Sequence, residues 1–301
     1  MIRHGERLSI GVMFPSSRSA AVDVRACARH AESLGLDALF TGDHLAATVG
    51  TMESTLTLAT VAAVTERLRI GFGVMVLALR HPAWAAKQIA TLQHLSGDRV
   101  ILGVGSGGAV HGSSAWEAVG VPYAERGRRT DAALDVLPDL VTGRSAVLPS
   151  GVSIALAPGA AMPPVWVGGG SRAALRRTAR YADAWFPSMI TATAVADGRR
   201  ELAELAATYG RPMPQLAVGG SVLLGPAPSQ SLLSDTTAGL TQYGVPPEVA
   251  AHLPITGPPP QAAERFREYA EAGADHLVLG VIGDDWQRQC ELIAEARSLA
   301  A

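Results

Sequence analysis

Residues 67–108 read RLRIGFGVMVLALRHPAWAAKQIATLQHLSGDRVILGVGSGG. Residues 68–76 form an apolar run that reads as a strand, and residues 77–81 a loop. Pro82 suits the first position of a helix, where its missing N–H is an orphan in any case, and the helix runs to about residue 95. Ser96-Gly97-Asp98 breaks it. A second apolar strand, 99–104, then runs into a glycine-rich loop, 103–108. Two strands joined through one helix form a β-α-β unit, which makes the strands parallel. Neither strand alternates cleanly between apolar and polar residues, so each is expected to be covered on both faces. The polar and glycine residues follow the strands, at the sheet edge where parallel α/β folds hold ligands.

The same alternation extends outward in both directions. Strands are predicted over 8–14 and 36–41 before this unit, and over 165–167, 183–187, 214–224 and 276–281 after it. Helices are predicted over 20–34, 54–66, 123–142, 171–181, 193–209, 260–272 and 284–299. Residues 45–53 and 111–121 read as loops. Eight strand-helix units in this length fit a (β/α)8 barrel, also called a TIM barrel, as one domain over 1–301. Two Pro- and Gly-rich stretches, about 143–163 and 225–260, are insertions after the fourth and seventh units; the second carries a helical piece over 229–243. A doubly wound sheet is the competing architecture, and the count of eight favours the barrel.

Composition narrows the function. The chain is 48% hydrophobic and 17% charged, with a net charge of −2, which gives no electrostatic case for nucleic acid or an anionic membrane. No run reaches 18 apolar residues, so no membrane span is expected. The opening MIRHGERLSI lacks the long apolar run of a signal peptide. Cys27 and Cys290 lie far apart in predicted helices and show no metal spacing, which suits a reducing, cytoplasmic setting. Lys87 is the single lysine.

Three motifs carry candidate chemistry. Gly103 to Gly108 matches G-x-G-x-x-G after a strand, but the following AVHGSSAWEAVGVP does not open a helix as a dinucleotide fingerprint requires. A loop whose backbone can approach a flat ligand is the other reading, since glycine has no side chain to obstruct it. Gly168-Gly169-Gly170-Ser171 follows a strand and places Ser171 as the N-cap of a helix. Free N–H groups and the helix dipole would face an anion there, with Arg172 near enough to help; an ordinary tight turn is the alternative. Asp43-His44 ends the second strand and, in a barrel, stands at the catalytic mouth. A histidine there can exchange a proton near neutral pH, although an Asp-His pair is often structural. His81 and His111 fall in loops at the same mouth, and Arg176, Arg177 and Arg180 read as a solvated face. Trp84, Trp116, Trp166 and Trp185 read as core, with Trp116 also able to cover a ligand. No Gly-x-Ser-x-Gly elbow supports a serine hydrolase.

Four stretches carry a resemblance: LSIGVMFP, AESLGLDALFTGDHL, the stretch 66–107 and PVWVGGGSRAALRRTARYADAWFP, with AGADHLVLGV fitting as well. They cover most of residues 8–188. The chain resembles the bacterial luciferase-like family of flavin- and deazaflavin-dependent oxidoreductases. GDHL after the second strand, and GGGS followed by an Arg-rich helix and ADAWFP, are similar to the branch that uses coenzyme F420. The resemblance implies hydride transfer between the deazaflavin C5 and a small organic or peptide substrate. It implies a non-proline cis peptide at Gly73–Val74 behind the cofactor ring. It assigns Asp43 a hydrogen bond to that ring and His44 a place beside the reactive carbon, as the catalytic proton donor or acceptor. Gly105, Ser106 and Gly107 match the loop along the cofactor, and Gly168, Gly169, Gly170 and Ser171 the phosphate-binding turn. No metal site is implied.

One position departs from the pattern. Sugar-phosphate dehydrogenases of that branch carry an acidic residue where this chain has Gly108, and the later loops here lack their lysines. This argues against a sugar phosphate and for a reductase of an activated double bond, imine or carbonyl, with His44, Tyr123, His111 or water as proton source. Three other readings stay open: a two-component monooxygenase using reduced FMN, a flavin-binding protein without catalysis, and a phosphate-binding barrel isomerase or lyase. An intracellular homodimer, usually through the helices after the second and third strands, is also implied.

Overall fold

The computed structural model describes residues 7–15, 22–46, 50–108, 112–226 and 229–300. In chain order the elements are β1 (Ser9–Met13), α1 (Val24–Ser33), β2 (Ala38–Thr41), α2 (Ser54–Val64), β3 (Arg69–Phe72), β4 (Met75–Val76), α3 (Pro82–Ser96) and β5 (Val100–Gly105). Next come α4 (Ser114–Ala118), α5 (Arg126–Val141), β6 (Ala146–Val147), β7 (Ser153–Ile154), β8 (Val165–Gly168), α6 (Arg172–Tyr181), β9 (Ala184–Phe186) and α7 (Ala192–Thr208). β10 (Gln215–Leu224), α8 (Gln230–Gln242), α9 (Pro247–Ala250), β11 (Ile255–Gly257), α10 (Pro259–Glu271), β12 (His276–Val281) and α11 (Trp286–Ala300) complete the chain.

The strands close on themselves. β1 pairs with β2 and β12, and the ring continues β2, β3, β5, β8, β9, β10 and back to β12, every pairing parallel. That is the eight-stranded (β/α)8 barrel, and closure removes the doubly wound alternative. β4 takes over the pairing with β5 above the point where β3 ends. The long predicted strand over 68–76 is therefore two short ones, with the Gly73–Val74 peptide between them in the cis form. The first excursion carries the antiparallel pair β6–β7, and β11 in the second extends the sheet from β10.

The barrel has apolar layers inside and out, which is why its strands do not alternate in sequence. Inside lie Ala38, Phe40, Ile101, Trp166, Ala184, Phe186, Ala217 and Val278. The Phe40 ring sits 5.5 Å from Trp166 and 5.8 Å from Phe186. It fits because its neighbours on β1 and β3 are glycines: a Cβ on Gly71 would come within 2.2 Å of the Phe40 ring, and one on Gly11 within 2.9 Å. Small residues beside a large one let the narrow interior fill without voids. Outside, residues such as Leu39, Ile70, Val100 and Leu102 pack beneath the helices.

Local signals place the helices. His81 caps α3 by accepting the Ala83 N–H at Nδ1, Pro82 opens it, and Gly97 ends it at φ 65°. His81 therefore serves as a helix cap at that end of the barrel. Residues 111–121, expected as loop, include α4, which buries Trp116. Trp166 and Trp185 are buried as expected, but Trp84 is 70% exposed on α3. Arg177 is not part of a solvated face: its side chain is only 9% exposed between α6 and α5, where its guanidinium donates to both carboxylate oxygens of Asp131 at 2.6 and 3.2 Å. No helix of the described residues is long and apolar enough to cross a membrane.

Candidate active site

The C-terminal ends of the strands surround a cavity of about 870 Å³. The eleven residues to which the resemblance assigns a catalytic or cofactor-binding role all line it: Asp43, His44, Gly73, Val74, Gly105, Ser106, Gly107, Gly168, Gly169, Gly170 and Ser171. The volume is at the upper end for small-molecule sites, which leaves room for a cofactor ring and a second molecule.

Asp43 is the best-anchored group at this mouth. Oδ1 accepts from Ser54 Oγ at 2.9 Å and Arg80 Nη2 at 2.6 Å; Oδ2 accepts from the Val76 N–H at 2.8 Å and Arg80 Nη1 at 2.5 Å. These four bonds match the four lone-pair positions of a carboxylate, so a hydrogen bond to a cofactor would have to displace one of them. Asp43 thereby ties together the end of β2, the start of α2, β4 and Arg80. Glu53 joins the group, its Oε1 3.7 Å from Arg80 and its Oε2 capping α2 at the Leu56 N–H. His44 follows directly, its ring beside Gly42, with Thr51 Oγ1 donating to its carbonyl at 3.5 Å.

The Val74 side chain is set against a wall of glycines. A Cβ on Gly105 would approach Val74 Cγ2 to 2.5 Å, and one on Gly168 would approach Cγ1 to 3.0 Å. Below them, a Cβ on Gly103 would reach within 1.9 Å of the Phe72 carbonyl oxygen. Gly107 lies at φ 76°, and a Cβ there would strike the Trp116 ring at 2.6 Å. The G-x-G-x-x-G match is therefore not a dinucleotide fingerprint. Its glycines admit the chain around Val74 and the Trp116 ring, while Gly108 faces open space.

The second glycine turn opens α6. Gly169 is at φ 107°, a conformation that favours glycine, and its N–H donates to the Phe186 carbonyl. Ser171 Oγ accepts the Ala174 N–H at 3.2 Å. Among the described residues no acceptor meets the N–H groups of Gly170 and Ser171, which stand at the positive end of the helix on the cavity wall. This is an anion cradle in form. Arg172 does not reach it; it pairs with Glu201 on α7 at 3.3 Å.

The rest of the lining was not legible residue by residue. Met189 and Ile190 follow β9, Leu240, Tyr243, Val245 and Leu253 come from the second excursion, and Ser188 and Ser221 add hydroxyls. Tyr269, from α10, donates its hydroxyl to the Ile190 carbonyl at 2.9 Å, and burial pushes its ionisation up. The Pro-rich composition marked the second excursion as an insertion but named no side chain. Tyr123 is not part of the lining; its ring meets Trp116 edge-on, with Arg126 over its face. His111 lies outside the described residues.

Comparison with known proteins agrees with this architecture. The profile of the luciferase-like monooxygenase family matches residues 10–240. An uncharacterised protein of Mycobacterium tuberculosis is 39% identical over 143 residues, 44% of this chain and 47% of its own length, so the match spans about half of that relative. An F420-dependent glucose-6-phosphate dehydrogenase of Nocardia farcinica is 26% identical over 284 residues, covering 81% of this chain and 83% of that one. The structure of an F420-dependent secondary alcohol dehydrogenase with an F420–acetone adduct superposes with a TM-score of 0.85 at 15% identity, over 98% of this chain and 100% of that one. A monooxygenase of Streptomyces bottropensis, and the oxygenating constituent of a Pseudomonas putida 3,6-diketocamphane monooxygenase in complex with FMN, each superpose with a TM-score of 0.74 and share the fold. With its closed barrel and the family profile over residues 10–240, the chain belongs to the luciferase-like monooxygenase family.

Proposed function

We propose that this protein is an F420-dependent oxidoreductase that acts on a small organic or peptide substrate, as a reductase of an activated double bond, imine or carbonyl. One observation carries the reading: the eleven residues that the F420-using branch would require converge on one cavity from β2, β3, β4, β5 and β8. The residues fit the cofactor. The open N–H groups at Gly170 and Ser171 suit its phosphate, and the glycine wall around Val74 leaves a flat face for its ring. When bound, F420 exchanges a hydride at C5 of the deazaflavin. The turn at Gly168–Gly170 and Ser171 would hold the anionic tail and Val74 would support the ring, while Asp43 fixes the loop that carries His44. His44 would then give or take the proton at the other end of the substrate double bond, carbon in an activated alkene, nitrogen in an imine or oxygen in a carbonyl.

The deciding experiment is a titration of the purified protein with oxidised and reduced F420 and FMN, read by fluorescence and calorimetry. Tight binding of F420 with weak binding of FMN is expected. Preference for reduced FMN would move the reading to the oxygen-inserting monooxygenases that share this fold. Binding of neither at tens of micromolar would remove the cofactor assignment altogether.

The protein is further proposed to be an intracellular homodimer joined through α2 and α3. Leu56 on α2 is 71% exposed and Trp84 on α3 70% exposed, and such apolar side chains on adjoining helices favour a covered face. Light scattering at micromolar protein tests this directly: a monomer that stays monomeric at high concentration removes the dimer.

A further inference from the structure

The cavity has two unlike sides. The glycine side has just been described. The other side is apolar and stands on a cluster of its own, separate from the barrel core: Leu240, Ala250 and Leu253 are buried together, with Met189, Val245 and Val249 packed on them. Met189 is held at φ 61°, a left-handed conformation that non-glycine residues seldom adopt. Its surroundings impose it. Ser188 bridges to Gly219 on β10, where a Cβ would lie 2.8 Å from that of Ser188, and the Met189 N–H donates to the Gly219 carbonyl. Met189 is thereby pinned to β10 and turned onto the cluster from α8 and α9.

Charge separates the two sides as well. Asp43, His44, Tyr243 and Tyr269 are the only titratable side chains of the lining among the described residues, and none of the described lysine, arginine or glutamate side chains lines it. Arg80 matches the charge of Asp43. Burial pushes the ionisation of Tyr243 and Tyr269 up, so both stay neutral at physiological pH. The open N–H groups of the Gly170 and Ser171 turn lie on the glycine side. An anion pressed against the apolar side would be stripped of water with no counter-charge to receive it.

We propose that the wall formed by Met189, Ile190, Leu240, Tyr243, Val245 and Leu253 is the substrate subsite. It takes an uncharged, largely apolar compound whose single polar group meets neutral donors such as the Ser188 and Ser221 hydroxyls. The assignment of sides rests on the cofactor reading above.

The test uses 2-octanone, octanoate and octyl phosphate as matched probes, with 2-butanone and 2-hexanone as shorter ketones. Binding is read by calorimetry and tryptophan fluorescence, in the free protein and with F420 present. With F420 occupying the Gly168–Ser171 turn, the ketone is expected to bind at least tenfold more tightly than either anion, and with or without F420 ketone affinity should rise about fourfold per methylene. Val245→Arg supplies the missing cation. It should weaken 2-octanone at least fivefold and tighten octanoate, with F420 affinity within twofold because Val245 belongs to neither glycine turn. Tyr243→Arg, at a more exposed position, repeats the exchange should the first variant fold poorly. Equal or tighter binding of the anions, a flat response to chain length, or an unchanged preference in a folded variant would overturn the proposal. Failure of F420 to bind would remove the cofactor reading alone, since the ketone series in the free protein still tests the wall.

Discussion

Arg80 grips Asp43 through two parallel hydrogen bonds, Nη1 to Oδ2 at 2.5 Å and Nη2 to Oδ1 at 2.6 Å, and the carboxylate between them is buried. Paired forks of this kind are stronger than single contacts and fix orientation as well as distance. Removing one partner leaves a buried charge uncompensated. Arg80→Ala should cost about 3 kcal/mol of folding stability, measured by urea denaturation. Arg80→Lys keeps the charge but not the fork, and should recover only part of that loss. Full stability in Arg80→Ala would mean that the pair contributes nothing to holding the mouth.

The contact between Gly105 and Val74 leaves no room for a methyl group, since a Cβ would sit 2.5 Å from Val74 Cγ2. Valine is stiff at χ1 and cannot turn aside cheaply. Gly105→Ala should weaken F420 binding at least tenfold, and Val74→Ala added to it should restore most of the affinity. Gly108→Ala meets open space and should stay within twofold of the parent. A fluorescence titration of the parent, Gly105→Ala, Val74→Ala and the double variant, read as a double-mutant cycle with Gly108→Ala as control, decides whether this contact is what matters.

The glycine turn before α6 makes a separable contribution. Ser171→Ala removes the cap on Ala174 and should cost about 1 kcal/mol of stability. Gly169→Ala forces a side chain into φ 107°. Both changes should narrow the gap in affinity between F420 and its deazaflavin headgroup lacking the phosphate tail. An undiminished gap would place the tail elsewhere.

His44→Gln keeps a polar side chain of similar reach but cannot carry a proton. Turnover is expected to fall about 10²- to 10⁴-fold with F420 affinity unchanged, as measured by steady-state kinetics beside cofactor titration. Equal turnover would leave proton transfer to another group or to water.

His276 sets an acid limit on stability. It lies inside the lower barrel, 7% exposed, with Nε2 3.2 Å from Gln215 Oε1 and its ring against Trp166. Burial lowers its pKa to about 4, with the charge of Arg69 adding to the effect and Asp275 opposing it. Between pH 6.5 and 4 the unfolded chain binds a proton that the folded chain does not, so stability falls as the pH falls through that window. The loss should reach roughly 3 kcal/mol, and His276→Gln should flatten it. Denaturation curves at pH 7, 5.5 and 4.5 on both proteins provide the check.

Much of this molecule could be read from the linear chain, because its signals are local. Pro82 and Gly97 bracket α3 in sequence as they do in space, Ser171 caps α6 as its position after three glycines suggests, and apolar runs without alternation announced strands covered on both faces. The short-range motifs Asp43-His44, Gly73–Val74, Gly105-Ser106-Gly107 and Gly168 to Ser171 were legible for the same reason: each sits at the end of a strand, and a barrel brings strand ends together. What the chain alone could not determine were relationships between residues far apart in number. Nothing around Arg80 announces that it closes on Asp43, 37 positions away, and occupies the carboxylate a ligand was expected to meet. The glycines at 103 and 105 serve the close approach of Phe72 and Val74 from the neighbouring strand, which only the pairing of strands reveals. Arg177 looks solvated in its helix, yet the packing of α6 on α5 encloses its side chain against Asp131. Composition could mark the 225–260 excursion as unusual, but only the folding of α8 and α9 over the mouth decided that Leu240, Tyr243 and Leu253 face the cavity. Propensity and capping act within a few residues of chain, whereas side-chain packing depends on which surfaces the closed barrel brings into contact.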